Sequence, residues 1–346
     1  MSDVLIEEAD GIGFLTLNRP AALNSLTHDM VLTMEAALQK WERDDTIRAV
    51  LLRGAGERGL CAGGDIVAIY HDARGGGTST ADFWRDEYRL NAYIARYPKP
   101  YVAIMDGIVM GGGVGVSAHG KIRIVTERST IGMPEVGIGF VPDVGGTHLL
   151  ARTPGEIGTH IALTTSRFSA GDAIACGFAD HYIPRDKIGD FEAALRTGSI
   201  GDALRAFATA APESELTAQR HWIDECYSAD TVEEIVARLQ RYSGVPEAAK
   251  AAQQILAKSP TALKVALRSL RSARQSESLE ETLNEEYRVS IACLRSPDLV
   301  EGIRAQVIDK DRNPRWTPPT LELVPDAQVG AFFQSLGDDE LGLTPS

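Results

Sequence analysis

Residues 106–146 read DGIVMGGGVGVSAHGKIRIVTERSTIGMPEVGIGFVPDVGG: a glycine run, a strand-like segment and two acids in one stretch. The small residues of GGGVGVSAHG suit a tightly packed helix, and the IRIVT that follows suits a buried strand. Glycines at the end of a strand let backbone N–H groups face outward and approach a ligand with no side chain between. Two such groups converging on one oxygen would make an oxyanion hole. Further on, Glu135 and Asp143 stand eight residues apart in a segment that otherwise reads as protein interior, which raises the question of what two acids do there.

Working outward, short apolar runs alternate with helical patterns from residue 12 to about 190, as an α/β architecture requires. IGFLTLN, RAVLLRG and PYVAIMDG read as strands, and Val31, Met34, Leu38 and Trp41 form one face of a helix starting near Ser25 or Thr27. SAGD at 169–172 suggests a capping box, and ADHYIP a returning strand. After about residue 190 the character becomes helical, so the chain divides into a core at 1–190 and a helical region at 191–346, with Ser296-Pro297-Asp298 as a helix cap. Residues 73–82, ARGGGTSTAD, read as a mobile loop, and the proline-rich tail as a surface wrap without elements of its own.

Composition narrows the function. Thirty-five Lys and Arg against 48 Asp and Glu give a net charge of -13, which argues against nucleic acid as a partner while leaving room for a small anion held by a local cluster. The four cysteines, Cys61, Cys176, Cys226 and Cys293, form no C-x-x-C pair, so no disulfide framework or zinc site is indicated and a reducing compartment follows. With an acidic start and no apolar run of membrane-spanning length, the expectation is a cytoplasmic protein with no membrane partner.

GLCAGGDI at 59–66 is a second glycine loop of the same kind as the first. Gly113-x-Gly115-x-x-Ala118 imitates the dinucleotide fingerprint, but it lies mid-chain and its acid, Glu135, falls within MPE rather than at the end of a strand. Gly115-x-Ser117-x-His119 misses the nucleophile elbow at its last position, and Cys61 reads as a small buried hydrophobe. No H-x-x-x-H or H-x-H pair points to a metal.

GLCAGGDI, the 106–146 stretch with the THLLAR that follows it, and SAGDAIACGFADHYIP together resemble the crotonase superfamily, the enoyl-CoA hydratase/isomerase fold, over about residues 10–190. LNEEYRVSIACLRSPDLVEGIRAQVIDKDRNPRW is similar to the extended C-terminal region of its 3-hydroxyisobutyryl-CoA hydrolase branch. The resemblance implies a spiral of ββα units with two roughly perpendicular sheets and a helical region covering the site; the family is often homo-oligomeric, trimeric or hexameric, an assembly that the extended C-terminal region could block. It implies an acyl-CoA thioester hydrolase of valine breakdown, with no cofactor beyond the coenzyme A of the substrate. By position, the amides of Gly64 and Gly112 would form the oxyanion hole, Glu135 and Asp143 would be catalytic, and Glu87, Ala62 and Gly63 would line the substrate.

One departure separates this chain from the hydratases of that family, which carry a second glutamate where Gly115 stands here; the pattern favours hydrolysis over hydration or isomerisation. A non-catalytic acyl-CoA-binding subunit is the alternative of another class. Two carboxylates in one dry pocket have their pKa values pushed apart; Glu135 is read as the ionised partner, attacking the acyl carbon or activating water, with Asp143 as the group that orients water or shuttles protons, and the reverse assignment stays open. Arg53, Arg58 and Lys99 are candidates to hold the coenzyme A phosphates.

Overall fold

The structure, a computed structural model, describes residues 2–345. Two compact units interleave along the sequence: Met1–Gly64, Arg89–Ile131 and Phe168–Glu215 make the first, and Asp65–Tyr88, Gly132–Arg167 and Leu216–Ser346 the second.

The first unit holds a six-stranded sheet in the order Val4–Ala9, Ile12–Leu17, Ala49–Gly54, Tyr101–Met105, Ile122–Val125, His181–Tyr182. The first pair is antiparallel and the rest are parallel. The parallel strands carry the near-continuous apolar runs of strands covered on both faces. On one face Ile12, Phe14, Leu51, Val102, Ile104 and Ile124 pack with Ile188, Phe191 and Leu195 of the helix Ile188–Thr197. On the other, the buried Trp41 of helix His28–Glu42 lies so close over Gly13 that a Cβ there would sit 2.6 Å from the ring. That helix begins as expected, with Thr27 Oγ1 accepting the Met30 N–H. Ser169 and Asp172 form the expected capping box of helix Ala170–Ala175. The acidic start, in contrast, supplies an unforeseen edge strand, Val4–Ala9, whose middle is exposed. Gly59–Cys61 and Ile108–Met110 pair in parallel and begin a second, four-stranded sheet.

In the second unit the helices Arg220–Tyr227, Val232–Arg241, Pro246–Leu256, Pro260–Ala273, Leu279–Leu294 and Pro297–Ile303 follow one another. Thr231, Ser259, Ser278 and Ser296 cap four of them, each accepting a first-turn N–H. Two expectations are corrected. Most of residues 73–82 is helical, because Gly76 closes helix Ile66–Gly75 in the left-handed conformation and Asp72 Oδ2 accepts the Thr80 N–H, at 2.9 Å, as helix Ser79–Ala95 begins. The tail forms elements as well, a helix at Asp326–Ala331 and short turns at Leu321–Leu323 and Gly337–Asp339, held by buried Leu321, Val324 and Leu341 and by the Arg288–Glu340 ion pair. Among the described residues no helix is long and apolar enough to cross a membrane.

The contact of Gly13 with Trp41 is open to direct test. Gly13→Val should lower stability by about 1–3 kcal/mol, the usual scale of overpacking, read as a fall in denaturant midpoint with unchanged slope. A midpoint equal to that of the unaltered chain would contradict this packing.

Candidate active site

In the first unit, the parallel strands Gly59–Cys61 and Ile108–Met110 bring the two glycine loops side by side. Gly63 has φ +105, and a Cβ built on it would lie 3.9 Å from the Gly112 nitrogen. Its carbonyl accepts the Leu26 N–H at 2.8 Å, which leaves Gly64 bridged to Leu26, while the Ala62 amide is taken by the Leu23 carbonyl. Gly112 is the first residue of the short helix Gly112–Ser117, so its N–H has no acceptor inside that helix. The glycines of that helix serve close packing: a Cβ on Gly113 would fall 2.5 Å from the Cys61 carbonyl oxygen, and every residue from Gly112 to Ser117 is buried. No room is left for a dinucleotide to approach them. Ser117 spends its hydroxyl on the Gly113 carbonyl at 2.6 Å, as a packing residue and not a nucleophile.

In the second unit four carboxyl groups meet in a dry setting. Glu87, Glu135, Asp143 and Glu286 are all buried. Glu87 comes from helix Ser79–Ala95 and Glu135 from the single turn Glu135–Ile138. Asp143 comes from the loop that follows, and Glu286 from helix Leu279–Leu294. The Glu135 turn is seated on helix Pro297–Ile303, where glycines permit backbone contact: a Cβ on Gly139 would meet the Asp298 carbonyl oxygen at 2.3 Å, and one on Gly302 would meet Ile138 at 2.3 Å. Phe140, between the two acids, stacks on Trp84 with ring centroids 4.9 Å apart and helps to exclude water.

The donors in this group are few and specific. Tyr88 donates its hydroxyl to Asp143 Oδ2 at 2.7 Å and lies 2.7 Å from Ser290 Oγ. Glu286 accepts the N–H of Gly145 at 2.6 Å, that of Thr147 at 2.9 Å, and the Thr147 hydroxyl. Glu87 Oε1 and Glu135 Oε2, both buried, have no hydrogen-bond partner. A buried carboxyl oxygen without a donor favours the protonated form.

The acidities follow from this. Burial, and next the charge of Asp143, hold Glu87 and Glu135 well above the ordinary glutamate range. Burial also raises Asp143, but the Tyr88 hydroxyl stabilises its anion and it comes to about 7. Glu286 is pushed up to about 8 by burial against the pull of its donors on Thr147 and Gly145. The geometry favours the anion on Asp143, which accepts the Tyr88 hydroxyl, and the protonated form on Glu135, whose Oε2 has no donor, where the sequence pointed to Glu135 as the ionised partner. Burial raises both, the charge of Asp143 raises Glu135 further, and the Tyr88 hydroxyl holds Asp143 down.

Sequence reasoning singled out Glu87, Glu135 and Asp143, and the structure places all three in this group. It missed Tyr88 and Glu286. The available signal was helical spacing: Tyr88 lies one turn after Trp84, and Glu286 lies on the stripe Leu283, Glu286, Ser290, Cys293, whose other members are apolar or small. The three proposed phosphate-binding cations are occupied within their own unit. Arg53 pairs with Glu192, Arg58 donates to the Pro20 and Ala21 carbonyls, and Lys99 donates to the carbonyls of Trp41 and Asp44. All four cysteines are buried thiols.

Residues 12–333 match the family model described as enoyl-CoA hydratase/isomerase. The mitochondrial 3-hydroxyisobutyryl-CoA hydrolase of Gallus gallus is 41% identical, over 99% of this chain and 91% of that protein. Its namesake from Homo sapiens is 39% identical, over 98% and 90%. Among solved structures, a carnitinyl-CoA dehydratase from Mycobacterium thermoresistibile is 58% identical with a TM-score of 0.96, covering 99% of both chains. An enoyl-CoA hydratase from Rhodobacter sphaeroides 2.4.1 is 44% identical with a TM-score of 0.93, covering 99% of this chain and all 100% of that one.

The raised pKa of Asp143 has a consequence for stability. Its folded value lies above its unfolded one, so the folded state holds the proton more tightly and stability falls as pH rises from about 4 to about 7. Asp143→Asn removes that loss, so its stability relative to the unaltered chain should grow across this window and show no such gain below it. Denaturant midpoints measured at several pH values decide; a difference independent of pH would contradict the burial of an ionisable group here.

Proposed function

The chain belongs to the enoyl-CoA hydratase/isomerase family, and from that premise we propose that it hydrolyses acyl-CoA thioesters, with 3-hydroxyisobutyryl-CoA as its substrate and valine breakdown as its setting. One observation carries the reading: two orphaned buried carboxyl oxygens, Glu87 Oε1 and Glu135 Oε2, in the same acidic group as an aspartate whose pKa is close to neutrality. Buried carboxyl oxygens that no protein donor meets, beside an acid with a shifted pKa, mark a candidate site for acid–base chemistry.

The roles follow from the acidities. Asp143, ionised first and steadied by Tyr88, takes a proton from the attacking water. In the first unit, the Gly64 and Gly112 amides are the candidates that the family resemblance implies for stabilising an oxyanion formed from a thioester carbonyl oxygen. Glu135, still protonated, gives its proton to the departing coenzyme A sulfur, and the proton taken up by Asp143 then returns to Glu135, so each turnover consumes one water and yields a carboxylic acid and a free thiol. Glu87, raised by burial and with no partner at Oε1, is left to meet polar atoms of the acyl group. No step requires a metal or a redox cofactor.

The two solved relatives whose titles name a dehydratase and a hydratase raise the competing reading, water addition across a double bond. Gly115 weighs against it, because hydratases of this family use a second glutamate at that position and no side chain stands there in this chain. The full-length relatives named as hydrolases support the first reading.

Four thiols buried without disulfides accord with a reducing compartment, and we assign the cytoplasm. The trimer or hexamer implied by the family is carried as a proposal open to sedimentation analysis. Neither nucleic acid nor a membrane is assigned as a partner.

A panel of acyl-CoA esters assayed in parallel for thiol release and for double-bond hydration tests the proposal. The expected result is thiol release, greatest for a short, branched β-hydroxyacyl ester; hydration without thiol release would reverse the assignment, and binding without either reaction would make the chain a binding subunit. Glu135→Gln should lose at least about a hundredfold in turnover, the usual scale for a positioned acid or base, and near-normal turnover would end its role. Tyr88→Phe should move the acid limb of the pH–rate profile upward by about one pH unit, since a hydrogen bond to a charged group is worth roughly 1.5 kcal/mol or more. An unmoved limb would remove Asp143 as the base.

A further inference from the structure

Within the second unit, helix Leu279–Leu294 holds the Asp143 loop at two points. Glu286 and Ser290 stand four residues apart, one turn of helix, on the same face. Ser290 Oγ lies 2.7 Å from the hydroxyl of Tyr88, which in turn donates to Asp143 Oδ2 at 2.7 Å. Glu286 Oε2 accepts the Gly145 N–H at 2.6 Å, and Oε1 accepts the Thr147 N–H at 2.9 Å together with the Thr147 hydroxyl.

The backbone between these points is wound against its preference. Val144 has φ 54 and Gly145 φ 76. Glycine adopts the left-handed region freely, but a β-branched residue there is a true outlier and persists only where the surroundings impose it. The Gly146 N–H closes the turn on the Asp143 carbonyl at 2.6 Å, and the amides on either side of it, those of Gly145 and Thr147, both donate to Glu286. A carboxyl that merely filled the core would be replaceable by an apolar side chain of similar volume. One that takes the amides two and four residues beyond an acid sets where that acid stands.

We infer that Glu286 is a positioning residue: it imposes the left-handed turn at Val144–Gly145 and so fixes the Asp143 carboxyl against Tyr88, touching no substrate itself. The catalytic consequence rests on the hydrolase reading; the clamp on the turn does not.

The test uses the full-length chain. Glu286→Gln puts an amino group where one oxygen stood, so at least one loop amide loses its acceptor. The kcat for thiol release should fall about tenfold or more while KM stays within about twofold, and the Gly145 and Thr147 amides should exchange with solvent about tenfold faster. Thr147→Val removes only the hydroxyl bond and should lose roughly three- to fivefold in kcat; it carries the test if Glu286→Gln does not fold. Adding Val144→Asn to Glu286→Gln should recover part of the lost kcat, because asparagine accepts the left-handed region, a rescue that a residue of purely structural value would not show.

Unchanged kcat in Glu286→Gln or Thr147→Val, or amide exchange that does not depend on Glu286, would overturn the inference. If the unaltered chain releases no thiol from any ester while amide protection still requires Glu286, the hydrolase reading fails and the clamp stands.

Discussion

A carboxyl group taken out of water must be met by hydrogen-bond donors or keep its proton, and the second unit of this chain withdraws four of them together. The rest of its local architecture can be read as the answer to that constraint. Donors are rationed unevenly: Glu286 receives two amides and a hydroxyl, Asp143 receives the Tyr88 hydroxyl, and Glu87 and Glu135 each keep an oxygen with none. Burial raises all four, the donors oppose it at Asp143 and Glu286, and the resulting spread of acidities is what one base and one acid acting near neutral pH require.

The backbone serves the same end. Glycines at 139 and 302 let the Glu135 turn sit directly on the main chain of helix Pro297–Ile303, where any side chain would collide. Val144 is held in the left-handed region beside Asp143. Strain of this sort costs on the order of 1–3 kcal/mol and survives only where neighbours hold it in place. Replacing a buried acid whose oxygen no donor meets, such as Glu135, should stabilise the chain while harming its chemistry, the usual conflict between stability and activity.

Much of this was legible in the sequence, for identifiable reasons. Glu135 and Asp143 stood out because acids are rare in a run such as VGIGFVP, and parallel strands announced themselves by apolar segments ending in glycine. Thr27, Ser169 and Ser296 marked helix starts correctly. What escaped notice depends on partners distant in sequence. Glu286 sits beside Glu285, and only its position on a buried helical stripe sets it apart; the partner that gives it meaning lies at 145–147. The order of acidity turns on a tyrosine hydroxyl 55 positions before Asp143. Arg53 looked available for a phosphate because Glu192 could not be foreseen beside it. The glycines of 75–77 suggested mobility, whereas they end one helix just before the next begins.

The central claim is that this acidic group holds protons at neutral pH and releases the one on Asp143 first. Infrared difference spectra of carboxyl protonation, recorded against pH for the unaltered chain and for Asp143→Asn and Glu135→Gln, address it without reference to any substrate. The account predicts protonated carboxyl absorption persisting well above pH 5, with the component lost in Asp143→Asn titrating near 7 and the one lost in Glu135→Gln titrating higher. Complete ionisation of the group by pH 5, or loss of the Glu135 proton ahead of that on Asp143, would contradict it.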